Sequence, residues 1–441
     1  MAASIFDSPL HAHLFPTGEA GRLFSDTAAL RAMLLVEGAL ARAQGTQGII
    51  PELSAKAIQR ATMEIQIDPG AIARATGENG VSVPGLVAAF RAEMNAPEHA
   101  QFVHWGATSQ DIIDTGLMLR LRQLLLLVEA DLRKVVAALA VQAEDHATTP
   151  MAARTWGQQA TPTSWGAVVA DWGHGLCDLL DALPALRRSS LLVSLSGAAG
   201  TASALGPEAA DTRAALAEGL GLHDPKRSWH VDRGPILRIA DWLAQVTAQL
   251  ARMGATLVAL TSTEVGEVTL GAAGASSTMP QKQNPVAASA LQALGHQCTG
   301  LRAALAPATQ QMHQRDGAAW FAEWMVLPQI ALGAASALQH AVALSQRMAP
   351  DRARMAANLN ANLGLIHAEA LSFALARSMP RPEAQSASKA LCREAQETRT
   401  ELEQLARAAY PNLPADLFDV TAALGHAPQA ALDFAARAKA L

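Results

Sequence analysis

Residues 274–285 bring together side chains that could hold an anion and move a proton. The hydroxyls of Ser276 and Ser277 are followed, within nine residues, by the ammonium of Lys282 and the amide of Asn284. Free backbone N–H groups and an ammonium stabilise developing negative charge, and a hydroxyl beside them can transfer a proton. The same composition fits a flexible linker of small residues, so the residue types alone leave both interpretations open.

This segment lies between two stretches that have the apolar spacing of an α-helix. From Ile236 to Leu260 apolar residues recur at alternating intervals of three and four, and Pro235 stands at a first-turn position. A similar but weaker pattern runs from 286 to 305. Residues 274–285 are therefore predicted to form a mobile loop that joins two long helices.

Further helical patterns, from 117 to 139, from 163 to 180 and from 330 to 348, predict a fold built from long helices. A helix of about 25–30 residues is ~40 Å long, too long for a small domain to cover, so such helices must pack along one another as a bundle. Strand alternation is almost absent and alanine is frequent, so the predicted fold class is all-α. The apolar stripes also fit an interface between subunits.

Breaks containing proline, glycine and polar residues divide the chain into three predicted domains. A chain of 441 residues has room for two to four domains at about 100–200 residues each. We expect a mainly helical N-terminal domain at 1–110, the long-helix bundle at 111–350 and a small helical domain at 351–441.

Composition excludes several classes of protein. Apolar residues make up 50% of the chain and charged residues 17%, which excludes a disordered chain. The formal net charge of −5 favours neither nucleic acid nor an anionic membrane as a partner. Three widely spaced cysteines and an N-terminus without a signal-peptide pattern predict a cytoplasmic protein. The sequence has no metal-ligand or nucleotide-cofactor motif, so we expect neither a metal nor a cofactor.

Two other segments contain residues suited to binding a carboxylate. Residues 104–111 include Thr108 and Ser109, and a Thr-Ser-x-Asp stretch before a helix is by itself typical of an N-cap. Residues 154–158 carry an arginine, a threonine, a tryptophan and a glutamine, and by themselves predict only a loop.

Together the three segments resemble the active-site regions of the fumarase/aspartase superfamily. The pattern G-x-S-S-x-M-P-x-K-x-N-P at 274–285 is similar to its fingerprint loop, and 104–111 and 154–158 are similar to its first and second regions. The resemblance covers most of the chain. It implies a largely α-helical homotetramer in which each active site is assembled from three subunits. The implied chemistry moves a proton next to a carboxylate of a small polycarboxylate substrate, without a cofactor.

The resemblance also implies roles for individual residues. Ser276 stands six residues before Lys282 and corresponds to the proton-transfer group, while Lys282 and Asn284 correspond to the residues that hold the carboxylate whose charge grows. Thr108 and Ser109 correspond to a pair that binds a substrate carboxylate. The other substrate-binding residues implied in these segments are His104, Arg154, Thr155, Trp156, Gln158 and Met279.

Trp156 narrows the choice of reaction within the superfamily. Many members have a histidine here, which can protonate a leaving amine or hydroxide, whereas an indole N–H cannot act as an acid near neutral pH. A carboxylate, with a pKa of about 4, leaves or attacks without a general acid. Residues 154–156, 228–233 and 321–328 resemble the branch of the superfamily that closes a lactone ring on 3-carboxy-cis,cis-muconate in protocatechuate degradation.

This branch implies that His230 and Arg233 bind the additional carboxylate of the substrate. The residues alone leave two alternatives open. Arg233 fits a salt bridge at the start of the following helix equally well, and His104 either orients a carboxylate or caps the helix after it.

Other activities also fit parts of the sequence. A lyase that expels nitrite from a nitrosuccinate is permitted by Trp156 equally well. A lyase that expels an amine, such as one of adenylosuccinate type, needs another acid, such as His104 or His313. After the stretch 313–316, however, Trp324 stands where that type has a phosphate-binding arginine. A catalytically inactive structural homologue is the alternative from a different class, and the intact Ser276, Lys282 and Asn284 argue against it.

Overall fold

The fold is built almost entirely from α-helices. The computed structural model describes residues 4–271, 274–275, 279 and 282–441. Within these residues the helices are α1 (Gly18–Leu23), α2 (Asp26–Thr46), α3 (Glu52–Glu64), α4 (Pro69–Asn79), α5 (Val83–Met94), α6 (Pro97–Ala100), α7 (Ser109–Asp145), α8 (Trp165–Ser190), α9 (Ala209–Leu220), α10 (Gly234–Leu260), α11 (Val286–Leu305), α12 (Gly317–Arg347), α13 (Arg352–Asn360), α14 (Ala368–Leu375), α15 (Arg381–Thr398), α16 (Leu402–Ala409) and α17 (Ala427–Ala440). The predicted all-α class is confirmed.

Short strands in the described part of the chain form antiparallel pairs. They are β1 (Pro150–Thr155), β2 (Gln158–Ser164), β3 (Val268–Thr269), β4 (Gly274–Ala275), β5 (Gln283–Asn284) and β6 (Ala349–Pro350). β1 pairs with β2, β3 with β6, and β4 with β5. The loop predicted for residues 154–158 is therefore wrong, because these residues form the end of the β1–β2 hairpin.

α10 and α11 lie where the apolar patterns predicted them, whereas α7, α8 and α12 extend beyond the predicted ranges. In α10 Pro235 lies in the first turn. Backbone N–H groups have no intrahelical partner there, so a proline without an N–H loses no hydrogen bond. The eight stripe residues from Ile236 to Leu260 are all buried, at 4% exposure or less, so the stripe belongs to the core of this chain. α12 begins well before the predicted start at residue 330, because Trp320 and Leu327 extend its buried face.

Among the described helices, α12 is the one that is long and apolar enough to cross a membrane by length and composition. Most of its apolar stretch is buried inside the chain. A buried core helix of a globular protein meets the same criterion, so this feature alone does not indicate a membrane span.

The chain divides into two compact units. The first unit contains Met1–Asp131, Leu179–Ala248 and Leu294–Gln339, and the second contains Leu132–Asp178, Gln249–Ala293 and His340–Leu441. The breaks between them fall inside α7, α8, α10, α11 and α12. The division into three domains expected from the sequence stays a prediction.

Each unit has its own helix contacts. In the first unit α2 packs against α3 and α9, and α4 packs against α5. A Cβ on Gly45 of α2 would overlap the Ala55 side chain of α3, so this glycine permits their close approach. In the second unit α14 packs against α15 and α15 against α16, around a buried cluster that includes Leu371, Leu391 and Leu402.

Candidate active site

The first of the three segments leads into the N-terminus of α7, in the first unit. The helix begins at Ser109, so Thr108 immediately precedes it. The Thr108 N–H donates a hydrogen bond to Oδ2 of Asp111 at 3.0 Å. This contact is one half of a capping box. Thr108 thus lies at the N-terminus of α7 with its backbone N–H bound by Asp111, and its contact with a substrate carboxylate stays a prediction.

Asp111 also binds two loops that are distant in the sequence. Its Oδ1 accepts hydrogen bonds from His230 Nε2 at 2.8 Å, the Ser196 N–H at 2.9 Å and the Ser194 hydroxyl at 3.0 Å. Its Oδ2 accepts from the Gly197 N–H at 3.0 Å. Burial raises the pKa of Asp111, but the hydrogen bond and charge from His230, together with the backbone donors, lower it below its usual value. A buried, ionised Asp111 thus fixes the loops around the start of α7.

We expect Asp111→Asn to lower the free energy of unfolding by about 3 kcal/mol, because an amide cannot accept from all these buried donors. Since folding lowers the pKa of Asp111, its contribution is present above the unfolded-state pKa of about 4 and is lost as the pH falls through the folded value. Urea unfolding should therefore show a constant deficit between about pH 8 and pH 5 that shrinks below about pH 4.

The matched control for that variant is Asp171→Asn, at an exposed aspartate whose only described ion pair is with Arg252. We expect a change of less than about 1 kcal/mol there. A deficit in Asp111→Asn that stays constant down to about pH 3 would contradict an ionised Asp111.

His104 connects the same segment to α2. Its Nδ1 lies 2.7 Å from Oε1 of Glu37, and Glu37 is 2% exposed. Burial lowers the pKa of His104, but the hydrogen bond and the charge of Glu37 outweigh burial, so the pKa is raised. The structure thus pairs His104 with a carboxylate of the protein, and its contact with a substrate stays a prediction.

The His104–Glu37 pair should make stability depend on pH in the opposite direction. A histidine whose pKa is raised on folding contributes stability below the unfolded-state pKa of about 6.5 and loses it as the pH rises through the folded value. The stability advantage of the wild type over His104→Gln should therefore be largest near pH 6 and decline toward about pH 9 in urea unfolding. The exposed His296→Gln serves as the control, and an advantage independent of pH would refute the pairing.

Arg315, which the sequence analysis did not assign to the site, lies beside Thr108. Its Nε donates to Oε1 of Gln110 at 2.7 Å, and its Nη2 lies 3.5 Å from Oγ1 of Thr108. Gln110 in turn donates to the carbonyl of His230 at 2.9 Å. A half-buried guanidinium beside a hydroxyl suits carboxylate recognition. The polar stretch 313–316 immediately before α12 is the signal that could have identified it.

Arg233 lies at the centre of a buried ion cluster in the first unit. Its guanidinium donates to both oxygens of Glu323, at 2.7 and 2.9 Å, and to both oxygens of Asp114, at 2.7 and 2.9 Å. All three side chains have no exposed surface. Burial lowers the pKa of Arg233, but the two carboxylates outweigh burial and raise it.

This cluster is the salt bridge at the start of α10 that the sequence left open as an alternative for Arg233. Its remaining Nη1 hydrogen points to the carbonyl of His230 at 3.4 Å. A substrate carboxylate could reach this guanidinium only by exchanging with Asp114 or Glu323. The assignment of Arg233 and His230 to substrate binding therefore stays a prediction that the observed contacts do not favour.

The second segment forms the tip of the β1–β2 hairpin in the second unit. Trp156 and Gly157 make a two-residue turn with φ of 56° and 75°, which is the left-handed pair of a type I′ turn. Trp-Gly is not a usual pair for this turn, so the residues at the turn did not indicate a hairpin. The Trp156 side chain is fully exposed, and Thr155 and Gln158 are exposed beside it.

Arg154, which lies on β1 opposite Gln159, fixes the hairpin through an ion pair. Its Nη1 and Nη2 donate to the two oxygens of the buried Glu267 at 2.8 and 2.6 Å. Glu267 also accepts a hydrogen bond from Nδ2 of Asn358 at 2.8 Å. This bidentate geometry gives the strongest arginine–carboxylate pairs. Contact of Arg154 with a substrate stays a prediction.

The third segment connects α10 to α11 in the second unit, as predicted, and the pairing of β4 with β5 brings its two ends together. The Lys282 N–H donates to the carbonyl of Met279 at 3.0 Å. The Lys282 side chain is exposed and Asn284 is half-buried. Ser276 lies outside the described residues, so its role as proton donor stays a prediction.

The predicted site residues thus fall into two groups. In the first unit Thr108 and His230 are joined through Asp111, and Arg315 contacts the same cluster. Residues 154–158 and 279–284 belong to the second unit. The described residues contain no group of three or more His, Cys, Asp or Glu side chains that could hold a metal ion.

Proteins of known activity resemble this chain over most of its length. The family described as "Lyase" matches residues 17–300. The chain is 41% identical to 3-carboxy-cis,cis-muconate cycloisomerase of Pseudomonas aeruginosa over 385 residues, covering 86% of this chain and 84% of that protein. It is 37% identical to nitrosuccinate lyase of Streptomyces davaonensis over 424 residues, covering 92% of this chain and 89% of that protein. The crystal structure of the 3-carboxy-cis,cis-muconate lactonizing enzyme from Pseudomonas putida matches with a TM-score of 0.91 at 35% identity, covering 98% of this chain and 99% of that one.

Proposed function

The chain belongs to this lyase family of the fumarase/aspartase superfamily, and from that premise we propose that it is a cycloisomerase that converts 3-carboxy-cis,cis-muconate to a carboxymuconolactone. The relatives named above support this activity through both sequence identity and fold. The observation that limits the proposal to a reaction without a general acid is Trp156, which is exposed at the hairpin tip where such an acid would otherwise be expected.

The proposed reaction is an isomerisation in which no group leaves. One substrate carboxylate attacks the conjugated double bond and forms a C–O bond. The electron pair of that double bond moves toward the carboxylate on the adjacent carbon, whose growing charge Lys282 and Asn284 stabilise. Ser276 then delivers a proton to that carbon and takes up a proton from solvent in its place, so the lactone carries one carboxylate charge fewer than the substrate. Thr108 and Ser109 hold another carboxylate of the substrate.

The same proposal includes a homotetramer with active sites shared between subunits. Trp156 is fully exposed and Lys282 is exposed in the single chain, as expected of residues that complete a site together with another subunit. We also propose a cytoplasmic location and a role in protocatechuate degradation through the β-ketoadipate pathway. The chain has three widely spaced cysteines and no CxxC pair, which suits a reducing compartment.

A nitrosuccinate lyase is the second candidate function. The relative with that activity covers 92% of this chain, against 86% for the Pseudomonas aeruginosa cycloisomerase. Nitrite is a weak base, so its departure needs no general acid and Trp156 permits this reaction as well.

Spectroscopy distinguishes the two candidates. Purified protein incubated with 3-carboxy-cis,cis-muconate should abolish the diene absorbance as the lactone forms. A Lys282→Ala preparation purified in the same way should leave the absorbance unchanged and so exclude a contaminating enzyme. Unchanged absorbance with the wild type, together with release of fumarate and nitrite from nitrosuccinate, would replace the cycloisomerase by the lyase.

A further inference from the structure

A groove on the first unit is lined by four arginines and by no acidic residue. It lies among α2, α3, α7 and the end of α9, and its volume is about 430 Å³. The basic residues are Arg31, Arg42, Arg120 and Arg122, and none of the described residues that line the groove is an aspartate or a glutamate. The whole chain has a net charge of −5, so the charge of this surface is opposite in sign to the net charge of the chain. Such a concentration of like charge attracts anions.

The hydrogen bonds that three of these arginines donate to the backbone go to carbonyls, and none of their described hydrogen bonds goes to a carboxylate. Arg31 and Arg122 donate hydrogen bonds to backbone carbonyls, and Arg120 donates to the carbonyl of Leu23 at 3.3 Å. Arg42 is exposed. None of the four forms an ion pair with a carboxylate in the part of the chain that the structure describes. A carbonyl accepts the hydrogen bond but does not neutralise the charge.

Arg120 shows most clearly that an acceptor is missing. Its Nε is buried and has no hydrogen-bond partner. Burial lowers the pKa of Arg120 to about 10, and the charge of Asp26 offsets this only in part. A buried donor without an acceptor is unfavourable, and an anion bound in the groove would compensate the charge of this guanidinium.

We propose that this groove binds a small molecule that carries two or more phosphate or carboxylate groups. A guanidinium forms paired N–H···O bonds with either group, and four guanidinium groups match a multiply charged ligand better than a single carboxylate. The volume lies within the range of about 300–1,000 Å³ that is usual for small-molecule sites. Neither the proposed reaction nor its residues involve this groove.

Isothermal titration of the assembled wild-type protein tests the proposal, with inorganic pyrophosphate and citrate as separate probes at constant ionic strength. We expect saturable binding of at least one probe, weakened about tenfold or more in Arg42→Gln/Arg122→Gln, because charge-assisted hydrogen bonds are lost. Turnover without added anion should be unchanged in that variant. Binding of pyrophosphate alone would identify a phosphate site, and binding of citrate alone would identify a carboxylate site. Binding of both would show that the groove accepts either group.

The control variant Arg74→Gln/Arg393→Gln removes two exposed arginines elsewhere and should bind as the wild type does. Should loss of Arg122 loosen α9, the exposed Arg42→Gln alone repeats the test without touching the carbonyl contacts. The proposal is overturned if neither probe binds saturably, as when acidic residues of a second copy fill the groove. Binding that is unchanged in both groove variants would place the probe at another site and also overturn it.

Discussion

Ser276→Ala is expected to lower kcat by about 10²–10⁴-fold while the KM for 3-carboxy-cis,cis-muconate changes little. The substitution removes the proposed proton donor but leaves Lys282 and Asn284 to hold the substrate carboxylates. Steady-state kinetics at several substrate concentrations separate the two parameters. A loss confined to kcat indicates an interaction that is made in the transition state.

Ser277→Ala is the matched control, since it removes one hydroxyl from the next residue of the same loop. We expect it to keep kcat within about tenfold of the wild type, because a hydroxyl that transfers no proton supplies only local contacts. If the two variants were equally impaired, or if Ser276→Ala retained its turnover, proton transfer would have to be assigned to another group.

Arg233→Met is expected to lower the free energy of unfolding by about 3–5 kcal/mol, because it leaves Asp114 and Glu323 buried without a cation. Burial already raises the pKa of Glu323 more than Arg233 lowers it. In the variant the carboxyl of Glu323 should take up a proton more readily, because the lowering effect of Arg233 is gone. Since a raised folded-state pKa favours folding at lower pH, the deficit should shrink as the pH falls from about 7 to about 5 in urea unfolding.

Arg252→Met, on α10, is the control. Arg252 forms an ion pair with Asp171, and their side chains are 45% and 72% exposed. We expect a loss of less than about 1 kcal/mol there. The comparison also decides between the two roles considered for Arg233. A small stability loss combined with a raised KM would assign Arg233 to the substrate, whereas a large stability loss with intact KM in the folded fraction would assign it to the buried cluster.

The helical framework could be predicted because helical periodicity depends only on residues that are close together in the sequence. Apolar residues at intervals of three and four located α10 and α11 closely, and the burial of each face follows from that period. The β1–β2 hairpin was missed for the same reason. Its strands lack regular apolar–polar alternation, and the Trp156-Gly157 turn lacks the Asn-Gly or Asp-Gly pair by which such turns are usually identified.

The contacts that build the first-unit site could not be predicted in this way. Asp111 meets His230 and Ser194 across 119 and 83 residues of sequence, and spacing along the chain carries no information about such pairs. The motif indicated Thr108 as part of the site. It did not indicate that a buried carboxylate one turn later fixes its position, or that Arg315 reaches it from the start of α12.

The backbone at position 156 limits which residues the family can place at the hairpin tip. A φ of 56° strains β-branched side chains, whereas asparagine, aspartate and histidine adopt it more readily. Exchange of Trp156 for histidine is therefore compatible with β1 and β2 as they stand. Under the role proposed for residue 156, a single substitution on this hairpin would exchange an inert indole for a titratable imidazole and so change the leaving groups that the enzyme accepts.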